Sequence, residues 1–384
     1  MAAIDSLRAE FIQVSTTLHG NPELAFKEFK SAALLCDTME KHGLKIQRGI
    51  AELETAFRGE TRGAHSSPTI AILAEYDALP DIGHACGHNL IGTAAIAAGI
   101  ALQRVVKDLP GRVIVMGTPA EEGGGGKLIL LERGAFKDVD AAMMFHPASR
   151  TMTTRGSLAS TRLKIEFIGK ASHAAAAPED GINALEAVIL TFNNVNALRL
   201  HLKSDARVHG IITNGGSAAN IIPEYAAATF SVRAASQKYA RQVLDRVVAC
   251  AQAAATATGA ELKFSTKPGY SEIIPNPTMA RVFAENLRAL GIEVNEPRAN
   301  ERMGSTDMGN VSQTIPAIHP YLAITPNGIA GHTVAFRDAA ISPAGMQGML
   351  DAAKAMAMTA IDLLREPALL QNAKAELKKT RNEN

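Results

Sequence analysis

The stretch from Thr69 to Gly117, TIAILAEYDALPDIGHACGHNLIGTAAIAAGIALQRVVKDLPGRVIVMG, decides the fold. Its two ends, TIAILA at 69–74 and RVIVMG at 112–117, are short apolar runs without polar alternation, as strands buried on both faces are. Between them the Ala- and Gly-rich segment from Leu90 to Val106 reads as a buried helix. A third apolar run, Ala141 to Phe145, ends at His146-Pro147. Buried strands alternating with helices predict an α/β layered sheet. In such sheets ligands collect in the loops beyond the strand C-terminal ends.

Upstream, a helix is expected from Ala3 to Leu18, a turn at His19-Gly20-Asn21-Pro22, and a second helix to His42 with Gly43 as C-cap. Downstream the pattern changes near Gly156. Leu163 to Gly169 alternates with period two, a helix spans Ile182 to Leu200, and strands follow at Val208–Thr213 and Ala226–Arg233. A helix from Tyr239 to Thr256 and a strand from Glu261 to Ser265 complete a β-α-β-β-α-β order, that of a ferredoxin-like sandwich. From Lys267 the chain returns to helix, short strands and loops. The expected layout is one discontinuous α/β domain, 1–156 and 267–384, interrupted by a small α+β insertion at 157–266. The charged end, Ala373 to Asn384, is expected to fray.

The 384 residues suit two domains, and 47% hydrophobic against 20% charged residues suffices for a sizeable core. Lys+Arg total 39 and Asp+Glu 38, a balance that argues against nucleic-acid or membrane-surface binding. With no Trp and 4% aromatics, platforms for stacking bases are scarce. Leu90 to Leu102 falls short of the ~18–20 residues that span a bilayer. The start shows no signal-peptide pattern, and three cysteines are too few for a disulfide framework. A reducing, cytoplasmic setting is the default expectation.

Four groups of residues can carry chemistry. Cys86 and His88, with Gly87 between them, can turn toward one point, and a thiolate with an imidazole suits zinc or another late first-row metal. Glu121 and Glu122 follow the strand Val113–Gly117 and precede four glycines. One can bind metal while the other acts as general base. The alternative is a flexible acidic turn; a phosphate loop fits poorly, because the G-K-[ST] ending is missing. His146 follows an apolar strand, and His332 lies in Ala330-Gly331-His332-Thr333. Taken singly, each is an ordinary histidine. Taken together, Cys86, His88, Glu122, His146 and His332 offer five zinc-type ligands, which suits two metals better than one. His19, His42, His65, His201 and His319 are not recruited by their spacing.

Along nearly its whole length the chain resembles the co-catalytic metallopeptidases that include aminoacylases, carboxypeptidase G, auxin–amino acid conjugate hydrolases and aminobenzoyl-glutamate hydrolase. The motifs are His19-x-x-Pro22-Glu23, Glu75-Tyr76-Asp77-Ala78-Leu79-Pro80, His84 to Asn89, Pro119-Ala120-Glu121-Glu122, Gly169 to Ala174 and Gly304-Ser305-Thr306-Asp307. Ala74 to Asp77, Gly210-Ile211-Ile212 and Ala219 to Pro223 are similar to the branch of aminobenzoyl-glutamate hydrolase and aminoacylase-like dipeptidases. The resemblance implies a mixed-sheet metallopeptidase (phosphorylase/hydrolase-like) catalytic domain with an inserted ferredoxin-like lid and dimerisation domain. It makes Cys86, His88, Glu122, His146 and His332 ligands of two divalent ions, zinc or manganese with cobalt possible, about 3.5–4 Å apart. Glu121 becomes the general base, and Asp77 a carboxylate that orients a ligand. In the insertion, His173 matches a lid histidine that reaches the partner subunit's site to stabilise an oxyanion. Asn220 and Arg233 match substrate-touching positions, and His209 is either substrate-facing or structural. Two departures stand out: many relatives have a ligating His where this chain has Glu75, and the auxin-conjugate branch has Asp where this chain has Asn89.

The implied reaction is hydrolysis of a small N-acyl amino acid or dipeptide-like amide, with Glu121 taking the proton of a metal-bridged water. Alternatives are hydrolysis of another C–N bond (carbamate, ureido or aromatic amine) at the same site, or a non-catalytic metabolite-binding member. The expected assembly is a homodimer formed through the insertion, with no nucleic-acid or membrane partner.

Overall fold

The computed structural model describes residues 1–61, 66–105, 107, 109–267 and 269–383, so His65 and Val106 lie outside the described residues. In chain order the strands are β1 Lys45–Arg48, β2 Phe57–Glu60, β3 Thr69–Ala74, β4 Arg112–Gly117, β5 Ala141–Met143, β6 His146–Ala148, β7 Ala159–Ile168, β8 Arg207–Asn214, β9 Tyr225–Ala234, β10 Glu261–Lys267, β11 Ala317–Ile318 and β12 Tyr321–Ala323. The chain divides into two compact units, 1–156 with 273–384, and 157–272.

The first unit is built on a mixed sheet in the order β1-β2-β4-β3-β5-β11. β3 pairs in parallel with β4 and with β5, Ile70 lying opposite Val113 on one side and Ala141 on the other. All six residues of β3 are buried, the two-sided burial that its unbroken apolar run predicts. β1 and β2 run antiparallel and close one edge. Because β3, β4 and β5 are parallel, their C-terminal loops open on one edge of the sheet.

The helix His88–Gln103 is almost wholly buried. Its small residues allow close approach to the strands: a Cβ on Gly99 would lie 2.4 Å from Val115 Cγ2, and one on Gly92 would lie 2.9 Å from the Glu75 carbonyl. The helix begins at His88, two residues ahead of the expected start, so a candidate ligand occupies its first turn. The N-terminal segment is two helices, Ala2–Ser6 and Arg8–Gly20, interrupted at Leu7; the next helix runs Phe29–Lys41. Among the described residues no helix is long and apolar enough to cross a membrane.

The second unit carries an antiparallel sheet in the order β10-β7-β9-β8 with helices Ala184–Arg199 and Gln237–Thr258, the ferredoxin-like arrangement. Leu163, Ile165 and Phe167 of β7 and Phe230 and Val232 of β9 form its core with helix residues such as Val188, Val195, Val243 and Val247. Each helix start is capped by a side chain: Asn183 accepts from Leu185 and Glu186 N–H, and Ser236 from Tyr239 N–H. The unit runs on past β10 to Glu272 because the Ser160 N–H donates to Tyr270 O and the Glu272 carboxylate accepts the Gln237 N–H.

Candidate active site

Three loops at the C-terminal ends of the parallel strands supply the polar groups of the first unit. Glu75 and Asp77 leave β3, Glu121 and Glu122 leave β4, and His146 follows β5. The Cys86–His88 turn packs against the last of these through Gly87. This residue is left-handed (φ +78°), and a Cβ on it would lie 2.5 Å from Pro147 Cγ, so a side chain here would push the two loops apart. His332, itself at φ +61°, donates its N–H to Ala85 O at 2.8 Å and so joins the same turn.

The candidate ligands converge. Cys86 Sγ lies 3.4 Å from His146 Nε2. Glu122 Oε1 lies 3.2 Å from His332 Nε2 and 3.9 Å from His88 Nε2. Donor atoms within 4.8 Å of one another form the sets Cys86/His88/His146, Cys86/Glu122/His332, His88/Glu121/Glu122 and Glu75/Glu121/Asp307. Asp77 organises two of these side chains. Its Oδ1 and its main-chain oxygen face His88 Nδ1 at 3.1 and 2.9 Å, and its Oδ2 accepts the Glu122 N–H at 2.9 Å. With Nδ1 held by Asp77, His88 turns its Nε2 toward Glu75 and Glu122. His146 does likewise: Nδ1 donates to Pro147 O at 2.7 Å, leaving Nε2 for Cys86.

Burial and charge set the protonation of these groups. Burial, then Glu122, pushes the Cys86 thiol well up. Burial pulls His146 down to about 4. Burial opposes a charged His88, but the Cys86 sulfur and Asp77 outweigh it and the net shift is upward. Glu121 is raised well above the carboxylate range by burial and by Glu75, Asp307 and Glu122, with Lys127 opposing. Burial would also raise Glu122, yet His332 and His88 bring it below its usual value. Adjacent carboxylates with opposite shifts suit different tasks, one a proton acceptor and one an anion.

Two residues that sequence reasoning passed over belong here. Lys127 is fully buried with its ammonium 2.5 Å from Glu75 Oε1 and 2.7 Å from Asp307 Oδ1, and its N–H donates to Asp307 Oδ2. It fills the set Glu75/Glu121/Asp307 with an internal cation. Its only trace in the sequence is a lysine opening the apolar run Leu128–Leu131, after the glycines. His319, expected to be unremarkable, is buried with its ring 5.3 Å from that of His146 and 4.9 Å from that of Tyr321. Neither of its ring nitrogens makes a hydrogen bond among the described residues. Its partners come from β6 and β12, which pair only in the folded chain. His42 pairs with Glu10, His19 Nε2 lies 3.1 Å from Arg337 O, and His201 is exposed. Asn89 faces away from the cluster: its amide donates to Ser15 Oγ and Ala340 O, which a carboxylate could not do.

In the second unit, His173 and Asn220 lie side by side, His173 bridging to Ile221 and the Ala174 N–H donating to Asn220 O. His173 is exposed, and its Nδ1 accepts from Ala175 and Ala176 N–H at 3.3 and 3.2 Å, which leaves the ring proton on Nε2. Arg233 of β9 and His209 of β8 share the sheet face opposite Val232 and Val208, Arg233 lying opposite Arg207 and His209 opposite Ser231.

Soft and hard donors gathered in overlapping sets around Cys86, His88 and Glu122, beside a carboxylate that burial and its anionic neighbours raise, are the chemistry of a metal-dependent hydrolase. Residues 71–364 match Peptidase family M20/M25/M40, and the chain belongs to that family. It is 39% identical to the Xaa-Arg dipeptidase of Mus musculus, over 98% of this chain and 90% of that protein. It is 30% identical to a p-aminobenzoyl-glutamate hydrolase polypeptide of Escherichia coli, over 97% of this chain and 93% of that one. A dinuclear metal-binding peptidase of family M20 from Bacillus subtilis has the same fold, with a TM-score of 0.73 at 22% identity over 94% of this chain and 99% of that one. The protein is accordingly a hydrolase of amide bonds.

Proposed function

We propose that the protein cleaves the amide of an N-acyl amino acid or dipeptide, using two divalent ions held by Cys86, His88, Glu122, His146 and His332. The observation that carries this reading is that those donors and Glu121 fall into overlapping sets, linked through Cys86, His88 and Glu122, whose ligand atoms lie within 4.8 Å of one another. The donor set fits such ions: His88 Nε2, Glu75 Oε2 and Glu122 Oε1 are buried, close together, and complete no well-formed hydrogen bond among the described residues. Thiolate, imidazole and carboxylate together suit zinc, with manganese and cobalt as further candidates. When bound, the ions acidify water and polarise the amide carbonyl.

The chain's own residues do the rest. Glu121, made basic by burial and by its anionic neighbours, takes a proton from the attacking water and returns it to the leaving amine. Asp77 holds His88 and the Glu122 backbone in register. His173, with its proton on Nε2, donates to the developing oxyanion in the partner's site. Asn220 and Arg233 hold the substrate, Arg233 its carboxylate, and His209 lines the same sheet face. The names Xaa-Arg dipeptidase and p-aminobenzoyl-glutamate hydrolase both denote amides whose amine side is an amino acid, which supports this substrate class.

Assembly as a homodimer through the second unit is supported by β8, which ends one side of its sheet and exposes Ile211 and Ile212. Cys36, Cys86 and Cys250 are free thiols, in keeping with a reducing cytoplasm. The test is chelation. Dialysis against a chelator should abolish hydrolysis of a panel of N-acyl amino acids and dipeptides, and zinc, manganese or cobalt should restore it. Glu121→Gln should keep its metal and lose about 10²–10⁴-fold in turnover. Activity that survives metal removal, or a Glu121→Gln variant above about a tenth of wild type, refutes the reading.

A further inference from the structure

Glu121 and Glu122 are consecutive and share a donor set with His88, yet each also faces groups that the other does not. Glu121 belongs to the set with Glu75 and Asp307, and Glu122 Oε1 faces His332 and His88. The turn that makes this possible begins at Ala120, a non-glycine residue in the left-handed region at φ +62°. Its carbonyl accepts the N–H groups of Gly124 and Gly125 at 2.9 and 2.8 Å. Side chains disfavour this conformation, so something must hold it.

The holding group comes from the segment Asn21–Glu28, between the helices Arg8–Gly20 and Phe29–Lys41. Glu28 is 0% exposed. Its Oε1 accepts the Ala120 N–H and the Phe26 N–H, both at 2.9 Å, and its Oε2 accepts the Thr55 hydroxyl at 3.0 Å. The same segment reaches the β3 loop, where the Ala78 N–H donates to Glu23 O at 2.8 Å. The Glu23 carboxylate is anchored in turn by Ser31 N–H at 2.8 Å and Lys30 N–H at 3.1 Å. The Phe26 ring lies so close over Gly124 that a Cβ there would sit 2.2 Å from Phe26 Cε2. The segment is thus a strap joining the loop that carries Asp77 to the loop that carries Glu121 and Glu122.

We infer that Glu28 is a positioning residue for the hydrolysis: by accepting the Ala120 N–H it keeps Ala120 left-handed and so sets the directions in which Glu121 and Glu122 leave the chain. This rests on the reading of Glu121 as the base. Glu28 touches neither the reacting atoms nor the metal ligands. It acts through the Pro119–Ala120 peptide unit, and Asp77 secures the same turn two peptide units further on by accepting the Glu122 N–H.

The test is a double-mutant cycle on the full-length protein. Glu28→Met keeps the length but removes both acceptor oxygens, whereas Gln would still offer an amide oxygen to the Ala120 and Phe26 N–H groups and a donor to the Thr55 hydroxyl. Turnover per metal-loaded chain should fall about 10–100-fold, with KM changed less than about twofold. Hydrogen exchange across 118–126 should rise. Ala120→Gly adopts the left-handed conformation without strain, so Glu28→Met should cost markedly less turnover in the Ala120→Gly background than in the wild type. A purely structural role for Glu28 predicts the same cost in both backgrounds, and that result overturns the inference, as does unchanged turnover per metal-loaded chain. If Glu28→Met does not accumulate as folded protein, Glu28→Asp, one methylene short of the Ala120 N–H, is read in the same cycle against the same outcomes. The exchange measurement is independent of the reaction. Loss of protection without amide hydrolysis in the wild type would refute the proposed function while leaving the clamp in place.

Discussion

Replacing Lys127 by Met removes a charge from the interior while nearly preserving shape. Lys127, Glu75 and Asp307 are each at most 1% exposed, and the two ion pairs are 2.5 and 2.7 Å long. Taking away the ammonium leaves two buried carboxylates facing Glu121 without a counter-ion. Breaking a buried pair in this way costs about 3–5 kcal/mol. For a unit of this size that corresponds to a fall in Tm of roughly 6–20 °C. The pH dependence has a definite sign. In the wild type, burial disfavours the charged lysine but Asp307 and Glu75 outweigh it and raise its pKa. Its contribution is therefore fully present below the unfolded lysine pKa and is lost only when the pH rises beyond it, outside the neutral range. Asp307, which burial already raises in the wild type against the pull of Lys127, is pushed further up in the variant. The penalty is then full above its raised pKa and relieved as the pH falls toward the unfolded carboxylate range. Urea unfolding at pH 8 and pH 5, with m-values compared to exclude a change in the unfolded state, measures both effects. A loss below about 1 kcal/mol at pH 8, against the ~3–5 expected for a broken buried pair, or an equal loss at both pH values, would refute the account.

Cys86→Ala should lose metal, because the sulfur belongs to both the His88/His146 and the Glu122/His332 donor sets; elemental analysis showing two equivalents per chain would remove Cys86 from the ligand set. Asp77→Asn should weaken metal binding by about 10–100-fold, since His88 loses the carboxylate facing Nδ1, and competition with a chromophoric chelator measures it. Mixing His173→Ala with Glu121→Gln should, after verified exchange of protomers, restore activity toward about a quarter of wild type, one intact site per heterodimer under random exchange. No recovery would place His173 in its own protomer's site or in none.

The strands were legible in the sequence because their cores are continuous apolar runs: β3 and β4 lie where TIAILA and RVIVMG lie. The period-two pattern of β7 and the helix signals after it were legible for the same reason, since burial on one face imposes its period on the sequence. That Cys86, His88, Glu121, Glu122, His146 and His332 are candidates for one site was legible from residue type and, for most of them, from position after apolar strands; the structure brings them near one another. The tertiary structure alone decided which groups balance them. Lys127 meets Asp307 across 180 residues, and His319 meets His146 only where β12 lies beside β6. Glu28 meets Ala120 across 92 residues, a contact that no local pattern records. A periodic burial pattern is a local property of the chain and can be read one segment at a time. A buried charge, by contrast, is tolerable only with a partner, and that partner is brought to it by the closing of the sheet and its loops.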